Sequence, residues 1–400
     1  MLPFAPLPRL PVVLFFALTL SLGCARPPAT PALAQSSVSN SASFPTPLSA
    51  QPPPKSPLPD TPIDAATRAQ VVDTAIKNIT AHYVDPDVAA KLAASLRAHQ
   101  AHGDYDHVTS SAAFAELLSA QFAEVAHDKH LSIRYKPNLV PPDPDPATKP
   151  DPAAAAAAEA AEREANRYAN YGFERVERFA GNVGYVKFNR FEGPWECGDI
   201  VTFAMSFVAD TDALILDLRD NDGGYPQMVT LIASYLFDGW PQQLSSVYWR
   251  GSGDTVQAWT SSYVPGKRFG KDKPVYVLTS NRTVSAAEAF AYDLQAAKRA
   301  TIVGEVTVGG ANPGNVFRAG DHFRMQVAEG RAINPVTKTN WEGTGVHPDV
   351  PVQADLALAT ARLLALKGRE GKGTDGAQRE ELEKATEEAQ AELDRRKRGR

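Results

Sequence analysis

Apolar residues recur every three or four positions along residues 63–126, which is the spacing of one face of an α-helix. A short strand-like run follows at 130–135. The pattern therefore predicts a small helical N-terminal domain over residues 61–140. The apolar positions on these helical faces are Val72, Ile76, Ile79, Leu92, Leu96, Phe114, Leu117, Leu118, Phe122 and Val125.

From Phe173 onward the pattern changes to continuous apolar runs separated by helical segments. The strand candidates are 184–188, 213–218, 275–279 and 301–306, and the helix candidates are 228–237 and 286–298. Continuous apolar strands with intervening helices are typical of a mainly parallel sheet that is buried on both faces. We expect an α/β core over residues 171–366.

Three further segments lack an apolar periodic face. Residues 25–60 are rich in Pro, Ala, Ser and Thr and predict a disordered tether, and 141–170 predict a linker that includes a solvated helix. Residues 367–400 form a charged tail, in which 379–400 suit an exposed helix or a disordered end. We expect 25–60 and 379–400 to be dispensable for folding.

The N-terminus has the pattern of an export signal. Arg9 provides a weak positive flank, and residues 10–22 form an apolar run that is too short to span a bilayer comfortably. The segment ending at Cys24 resembles a bacterial lipoprotein signal, although Ser21 stands where leucine is usual. These features predict a signal peptide over residues 1–24, with Cys24 as the candidate lipidation site.

Charge and cysteine content exclude some functions. A net charge of −5 provides no basic excess for binding a phosphate backbone, so nucleic acid is not an expected partner. The other cysteine, Cys197, would have no disulfide partner if Cys24 is acylated or removed. Cys197 is interpreted as a small buried hydrophobic residue.

A double glycine, Gly223 and Gly224, follows the apolar run 214–218 and precedes a helical pattern. Its exposed N–H groups could form an oxyanion hole, which directs fixed donors at a developing negative charge. The simpler interpretation is a tight turn that needs positive φ, and the local sequence alone favours it.

Ser285 begins a helical pattern a few residues after the apolar strand 275–279. Ser285-Ala-Ala-Glu288 matches a capping box, in which serine and glutamate satisfy the N–H groups at the start of a helix. The same position, beyond the carboxyl edge of a sheet, also suits a nucleophile. The local sequence alone favours the cap.

Two histidines, His127 and His130, lie three residues apart and could supply the base that a serine nucleophile requires. A zinc site would need a third ligand, and no second clustered motif completes one. His322 and His347 are rival bases.

Taken together, several ordered motifs resemble the tail-specific, or carboxyl-terminal processing, proteases over roughly residues 60 to 355. The resemblance implies a crotonase-like or ClpP-like α/β core with a helical N-terminal domain. The matching segments are Asp128-Lys-His130, Gly184-Tyr-Val-Lys-Phe188, Leu216-Asp-Leu-Arg-Asp-Asn-Asp-Gly-Gly224, Ser285-Ala-Ala-Glu288, Arg299-Ala-Thr-Ile-Val-Gly-Glu305 and Gly345-Val-His-Pro-Asp349.

One departure from the family pattern identifies a branch. Many members carry a catalytic lysine twenty-five positions after the serine, and that position is Gly310 here. The chain instead resembles the branch of interphotoreceptor retinoid-binding protein and the tricorn protease core. In that branch a histidine, here His130, serves as base and a downstream glutamate, here Glu342, orients it. A serine that links the two in tricorn is replaced by Lys129.

The resemblance further implies an oxyanion hole made by Gly223 or Gly224 together with the Ala286 N–H, and no metal or organic cofactor. No PDZ domain is expected, since only the linker separates His130 from Phe173. The predicted function is that of an exported serine peptidase, periplasmic or anchored through lipid, acting on peptides or proteins. The alternatives are a non-catalytic binding protein for an apolar ligand or peptide and, less favoured, a metal-dependent hydrolase using His127 and His130.

Overall fold

The computed structural model describes residues 59–143, 152–369 and 376–399. The predicted signal peptide, Cys24 and nearly all of the predicted tether lie outside these ranges. So do residues 144–151 of the predicted linker and 370–375 of the predicted tail.

The described chain alternates helices and strands. The helices are α1 (Ala65–His82), α2 (Pro86–His102), α3 (Ser111–Ala126), α4 (Pro152–Tyr168), α5 (Pro194–Val208), α6 (Pro226–Ser234), α7 (Ala286–Ala296), α8 (Ala354–Lys367) and α9 (Gly376–Arg398), with a 3₁₀ turn at Asn170–Gly172. The strands are β1 (Ser132–Tyr135), β2 (Phe173–Phe179), β3 (Val183–Phe188), β4 (Ala213–Asp217), β5 (Gln243–Trp249), β6 (Thr255–Trp259), β7 (Val275–Thr279), β8 (Thr301–Gly304), β9 (Gly314–Gly320), β10 (Phe323–Ala328), β11 (Gly330–Ile333) and β12 (Val350–Pro351).

A six-stranded sheet with the order β12-β8-β7-β4-β3-β2 forms the centre of the molecule. All neighbouring strands in it are parallel except β2, which pairs with β3 in the antiparallel direction. Alternate residues of β4 point to opposite faces. Leu214 and Leu216 pack with α5, α6 and α7, whereas Ala213 and Ile215 pack with α8 and α9. The predicted α/β core is thus confirmed.

The three N-terminal helices pack on a second sheet, whose strand order is β1-β10-β9. Each helix begins at a polar N-cap: Asp64, Asp85 and Ser110 accept backbone N–H groups of the first turn. Strands β9 and β10 come from much later in the chain. The hydrophobic core of the N-terminal helices is therefore completed by residues beyond 140, among them Phe323 and Met325.

Helix α9 packs on α8 through one buried face, consisting of Leu382, Ala385, Ala389 and Leu393. The expectation that residues 379–400 have no face for a core is therefore wrong. The contact depends on alanines at helical spacing, which allow the two helices to approach closely, and the charged residues occupy the remaining faces.

Between β1 and β2 the described residues hold α4, whose side chains are exposed, and no inserted PDZ domain. A third sheet of order β11-β5-β6 lies outside the central one. Across the ranges 59–143, 152–369 and 376–399, none of the helices has both the length and the apolar character needed to cross a bilayer.

Candidate active site

Ser285 lies between β7 and α7, at the carboxyl edge of the central sheet. Its φ of 61° and ψ of −121° lie outside the extended region that an N-cap residue usually adopts. By contrast Ser110, a capping serine, has φ −101° and ψ 126°. Positive φ at a non-glycine residue is costly, and Ser285 adopts it although Glu288 still makes its half of the capping box by accepting the Ser285 N–H.

Glu288 is fully buried and connects the start of α7 to a glycine loop. Its Oε2 accepts the N–H groups of Ser285 at 2.8 Å and Gly310 at 2.9 Å. Its Oε1 accepts the Gly309 N–H at 2.6 Å and the Thr307 hydroxyl at 2.5 Å. Burial raises the pKa of Glu288, and these hydrogen bonds oppose the rise. One carboxylate thus holds both Ser285 and residue 310.

The imidazole of His130 lies against the bare backbone of Gly310. A Cβ at residue 310 would stand 2.9 Å from Cε1 and 3.2 Å from Nδ1 of His130. The imidazole therefore fills the space beside the position where the Ser–Lys members of the resembled family carry lysine. Burial lowers the pKa of His130, and the nearby Asp128 carboxylate opposes this shift only in part. The ring therefore stays neutral and able to accept a proton.

Glu342 lies across from the segment that carries the imidazole. Its Oε1 accepts the Lys129 N–H at 2.8 Å, and its Oε2 accepts the N–H groups of Ala311 at 2.6 Å and Asn312 at 2.8 Å. In the resembled tricorn arrangement a serine side chain at this position contacts the glutamate. Here the backbone N–H of Lys129 makes that contact with Glu342. Burial and the nearby Asp128 raise the pKa of Glu342 from 4.5 to about 7.

Asp128 holds the loop that presents His130, a role that the sequence did not indicate. Its buried Oδ1 accepts the N–H groups of His130 at 2.8 Å and Leu131 at 3.2 Å. Its Oδ2 accepts the Tyr83 hydroxyl at 3.2 Å and the Asn312 side-chain amide at 3.1 Å. Burial and this carboxylate raise the pKa of Tyr83, so its hydroxyl stays protonated as a donor.

Asp128, His130 and Glu342 form one cluster, with a ring nitrogen and carboxylate oxygens within 4.8 Å of one another. The buried Nδ1 of His130 has no hydrogen-bond partner among the described residues. The acid and base are therefore adjacent without a closed hydrogen bond, which is common in sites without substrate.

The same three side chains could in principle share a metal ion. Their proximity arises from tertiary structure and cannot be seen in sequence spacing, and His127 is not part of the group. Both carboxylates already accept hydrogen bonds on each oxygen from backbone or side-chain donors. Carboxylates that bind a metal are hydrogen-bonded in the same way, so elemental analysis of metal content is the measurement that separates the two kinds of site.

The glycine turn after β4 distinguishes between the two predicted donors. The Gly223 N–H donates to the Asn221 side chain at 2.9 Å, so it is already used. The N–H groups of Gly224 and Ala286 have no acceptor within the described part of the chain. A Cβ on Gly223 would lie 2.8 Å from Ser285 Cβ, so the turn packs directly behind the serine. The φ values of 94° and 135° at the two glycines also meet the simpler requirement for a turn.

The rival bases lie elsewhere. His322 Nδ1 faces the carbonyl of Lys136, just beyond the end of β1 opposite to His130. The His347 carbonyl accepts the side chain of Gln295, near the C-terminus of α7, whereas Ser285 precedes its N-terminus. A helix of the length of α7 places Gln295 and Ser285 ~15 Å apart.

Cys197 is fully buried within the core between the sheet and α5. Burial, together with nearby carboxylates, raises the pKa of its thiol to about 12. The thiol is therefore protonated and unreactive, in agreement with its interpretation as a small hydrophobic residue.

A serine on a strained turn, a neutral imidazole, a buried acid and two free N–H groups make an arrangement that can carry out acyl transfer, the chemistry of serine hydrolases. Comparison with known families agrees. The profile of peptidase family S41 matches residues 182–352, and that of the N-terminal domain of peptidase S41 in eukaryotic IRBP matches residues 65–173. The chain belongs to peptidase family S41, a family of serine peptidases.

Relatives and solved structures cover different parts of the chain. The chloroplastic carboxyl-terminal-processing peptidase 1 of Arabidopsis thaliana is 29% identical over 45% of this chain and 35% of its own length. A carboxyl-terminal-processing protease of Picosynechococcus sp. is 30% identical over 43% and 40%. The match thus spans less than half of these relatives. The match to a crystal structure of a candidate peptidase from Parabacteroides merdae covers 77% of this chain and 99% of the peptidase. The TM-score is 0.51 and the sequence identity 18%, so this match supports the fold.

Proposed function

We propose that this protein is a serine peptidase in which Ser285 is the nucleophile and His130 the general base. The observation that carries the proposal is the packing of the His130 ring on Gly310. Ser285 and Gly310 are joined through one oxygen of Glu288, so the imidazole occupies the space where a dyad lysine would otherwise begin.

In the proposed reaction, Ser285 Oγ attacks a peptide carbonyl carbon while a ring nitrogen of His130 takes the hydroxyl proton. The tetrahedral oxyanion is bound by the N–H groups of Gly224 and Ala286. As the C–N bond breaks, His130 returns the proton to the leaving amine, and an ester remains on the serine. Water, deprotonated by the same ring, then attacks the ester and releases the acid product and free Ser285.

Glu342 serves as the acid that stabilises the imidazolium formed in each step. Its three backbone hydrogen bonds hold the carboxylate in place beside the base. Asp128 positions the loop that carries His130 and adds a second negative charge nearby. Burial disfavours a charged carboxylate and an imidazolium alike. The attraction between the two therefore matters most in the transition state, where the imidazolium forms.

The proposal includes export and the domain organisation. A signal peptide over residues 1–24 directs the chain out of the cytoplasm, and lipid on Cys24 anchors it to a membrane facing the periplasm. Residues 25–60 act as a tether, 61–140 as the N-terminal domain, whose core β9 and β10 complete, 141–170 as the linker and 171–366 as the peptidase core. Peptide or protein segments are the substrates.

The proposal is tested by labelling with a fluorophosphonate, mapping the modified residue, and measuring peptide hydrolysis. Ser285→Ala, His130→Ala and the double variant should each lose a similar, large part of the activity, because residues that act as a unit are non-additive. A matched control is Ser110→Ala, which removes the N-cap of α3. This control should lose about 1 kcal/mol of stability and no activity.

Full peptidase activity in Ser285→Ala would refute the nucleophile. If His130→Ala stays active while Lys129→Ala does not, the base has been wrongly assigned. A chain that neither labels nor cleaves, yet binds an apolar ligand or peptide, would favour the non-catalytic binding protein instead.

A further inference from the structure

Two exposed aromatic side chains lie at the glycine turn, one of them on the residue after Gly224. Tyr225 follows it directly and is 39% exposed, and Trp195, at the start of α5, is 65% exposed. Their ring centroids are 5.0 Å apart at an angle of 75°, the edge-to-face contact that aromatic pairs prefer. Single exposed aromatic residues need no explanation, but here one ring of a contacting pair belongs to the residue that follows the proposed oxyanion donor.

The backbone holds this pair in place without burying it. The Tyr225 N–H donates to the Phe191 carbonyl at 2.7 Å, and Phe191 also forms a parallel bridge with Gly224. A Cβ on Gly193 would lie 2.4 Å from the Trp195 ring, so the indole rests directly on bare backbone. The segment from Phe191 to Trp195 therefore runs along the glycine turn and fixes both rings at its side.

We infer that Trp195 and Tyr225 form a subsite for a large apolar side chain of the peptide substrate, on a residue that flanks the scissile bond. The inference rests on the proposed function. A carbonyl bound by the Gly224 N–H lies about 3 Å from that nitrogen. Since consecutive Cα atoms are 3.8 Å apart both in the substrate and from Gly224 to Tyr225, Tyr225 is within reach of a substrate residue one or two positions from the cleaved bond.

The rings give this subsite its chemistry. The two aromatic rings offer a large apolar contact area with little loss of side-chain freedom. Aromatic or branched aliphatic side chains of a substrate bury the most surface against these rings. The preferred substrates are accordingly segments with Phe, Tyr or Leu at one of the flanking positions. Alanine at that position should be cleaved and bound more weakly, by about tenfold or more.

The first arm of the test uses the full chain and a reduced, unfolded protein such as casein, with the cut sites identified by mass spectrometry. Wild type should cut with Phe, Tyr or Leu enriched at one flanking position. Trp195→Ala and Tyr225→Ala should lose that enrichment while still cutting. Trp240→Ala, a control at an 81% exposed tryptophan outside the pair, should keep it.

The second arm measures binding in the Ser285→Ala background, so that it does not depend on cleavage. Two fluorescent peptides, taken from one cut site and differing only by Phe or Ala at the flanking position, should differ about tenfold in Kd. Adding Trp195→Ala should bring the two Kd values together. If Tyr225→Ala lowers Tm because Tyr225 is the N-cap residue of α6, Trp195→Ala alone carries the test.

The two claims fail separately. Cleavage that survives Ser285→Ala overturns the proposed function and leaves the binding comparison intact. If the Phe and Ala peptides bind equally to Ser285→Ala, or if Trp195→Ala keeps the full preference, the subsite is overturned whether or not the protein is a peptidase.

Discussion

Replacing Gly310 by alanine adds one methyl group at the most informative point of the proposed site. The new Cβ would lie 2.9 Å from Cε1 and 3.2 Å from Nδ1 of His130. Carbon atoms in contact prefer about 3.5–4.0 Å, so the imidazole has to move by roughly 0.5–1 Å. A misplacement of that size can reduce a rate by about a hundredfold, and we expect kcat/KM to fall by about that factor.

Stability should change much less. Gly310 does not lie in the left-handed region, so alanine adds no backbone strain, and it gains about 0.4–1 kcal/mol by restricting the unfolded chain. Overpacking costs about 1–3 kcal/mol, which leaves a net loss of at most about 2.6 kcal/mol. Activity is therefore lost in a protein that remains folded.

The measurements are kcat/KM for a peptide substrate, the fluorophosphonate labelling rate and Tm. Gly239→Ala serves as the control, because its nearest atom would be the Ser262 carbonyl oxygen at 3.4 Å. In a His130→Ala background the methyl group has no ring to displace, so residual hydrolysis should not change. Unchanged kcat/KM in Gly310→Ala, at an unchanged Tm, would refute the reasoning.

Three other outcomes are expected. Burial raises the pKa of Glu342 from 4.5 to about 7, so the folded state holds this proton more tightly than the unfolded state. The free energy of unfolding should therefore fall as pH rises from 4.5 to 7, whereas kcat/KM should rise through about pH 7. Glu342→Gln should remove both trends in pH profiles of Tm and kcat/KM. Leu382→Ala should lower the free energy of unfolding, measured in urea, by about 2–4 kcal/mol. The control Leu139→Ala, at a 70% exposed position, should lower it by less than about 0.5 kcal/mol. Equal stabilities of the two variants would mean that α9 is dispensable. Intact-mass analysis of membrane and soluble fractions should find a mature chain that begins at or just after Cys24; a cytoplasmic chain that keeps its initiator methionine would contradict export, and a soluble unacylated form only the anchor.

The fold was predictable where apolar periodicity is local. The parallel strands and the helices α1 to α3 follow from runs and faces that can be read directly. The pairing of β1 with β10 could not be read, because strand partners far apart in sequence leave no local signal. The buried face of helix α9 was missed for another reason: it contains Ala385 and Ala389, and alanine fits exposed and buried helices equally well.

The motifs located most of the candidate site, but tertiary contacts decide between alternatives that the motifs leave open. Only the Asn221 side chain distinguishes Gly223, whose N–H it occupies, from Gly224. Likewise the Ser285 motif matches a capping box as well as a nucleophile. Glu288 makes its half of the box, while the backbone angles at Ser285 depart from those of an ordinary N-cap. The position of Asp128 in the acid cluster depends on contacts with Tyr83 and Asn312, which no spacing rule could have indicated.

The pairing of β1 with β10 has a consequence for biosynthesis. Ser132, two residues after His130, pairs with Gln326, so the base has no platform until the ribosome has passed that residue. Ser285 is made earlier. A growing or prematurely ended chain that stops between Ser285 and Gln326 therefore carries the serine without a positioned imidazole. Under the proposed mechanism, peptidase activity therefore requires synthesis to continue past Gln326.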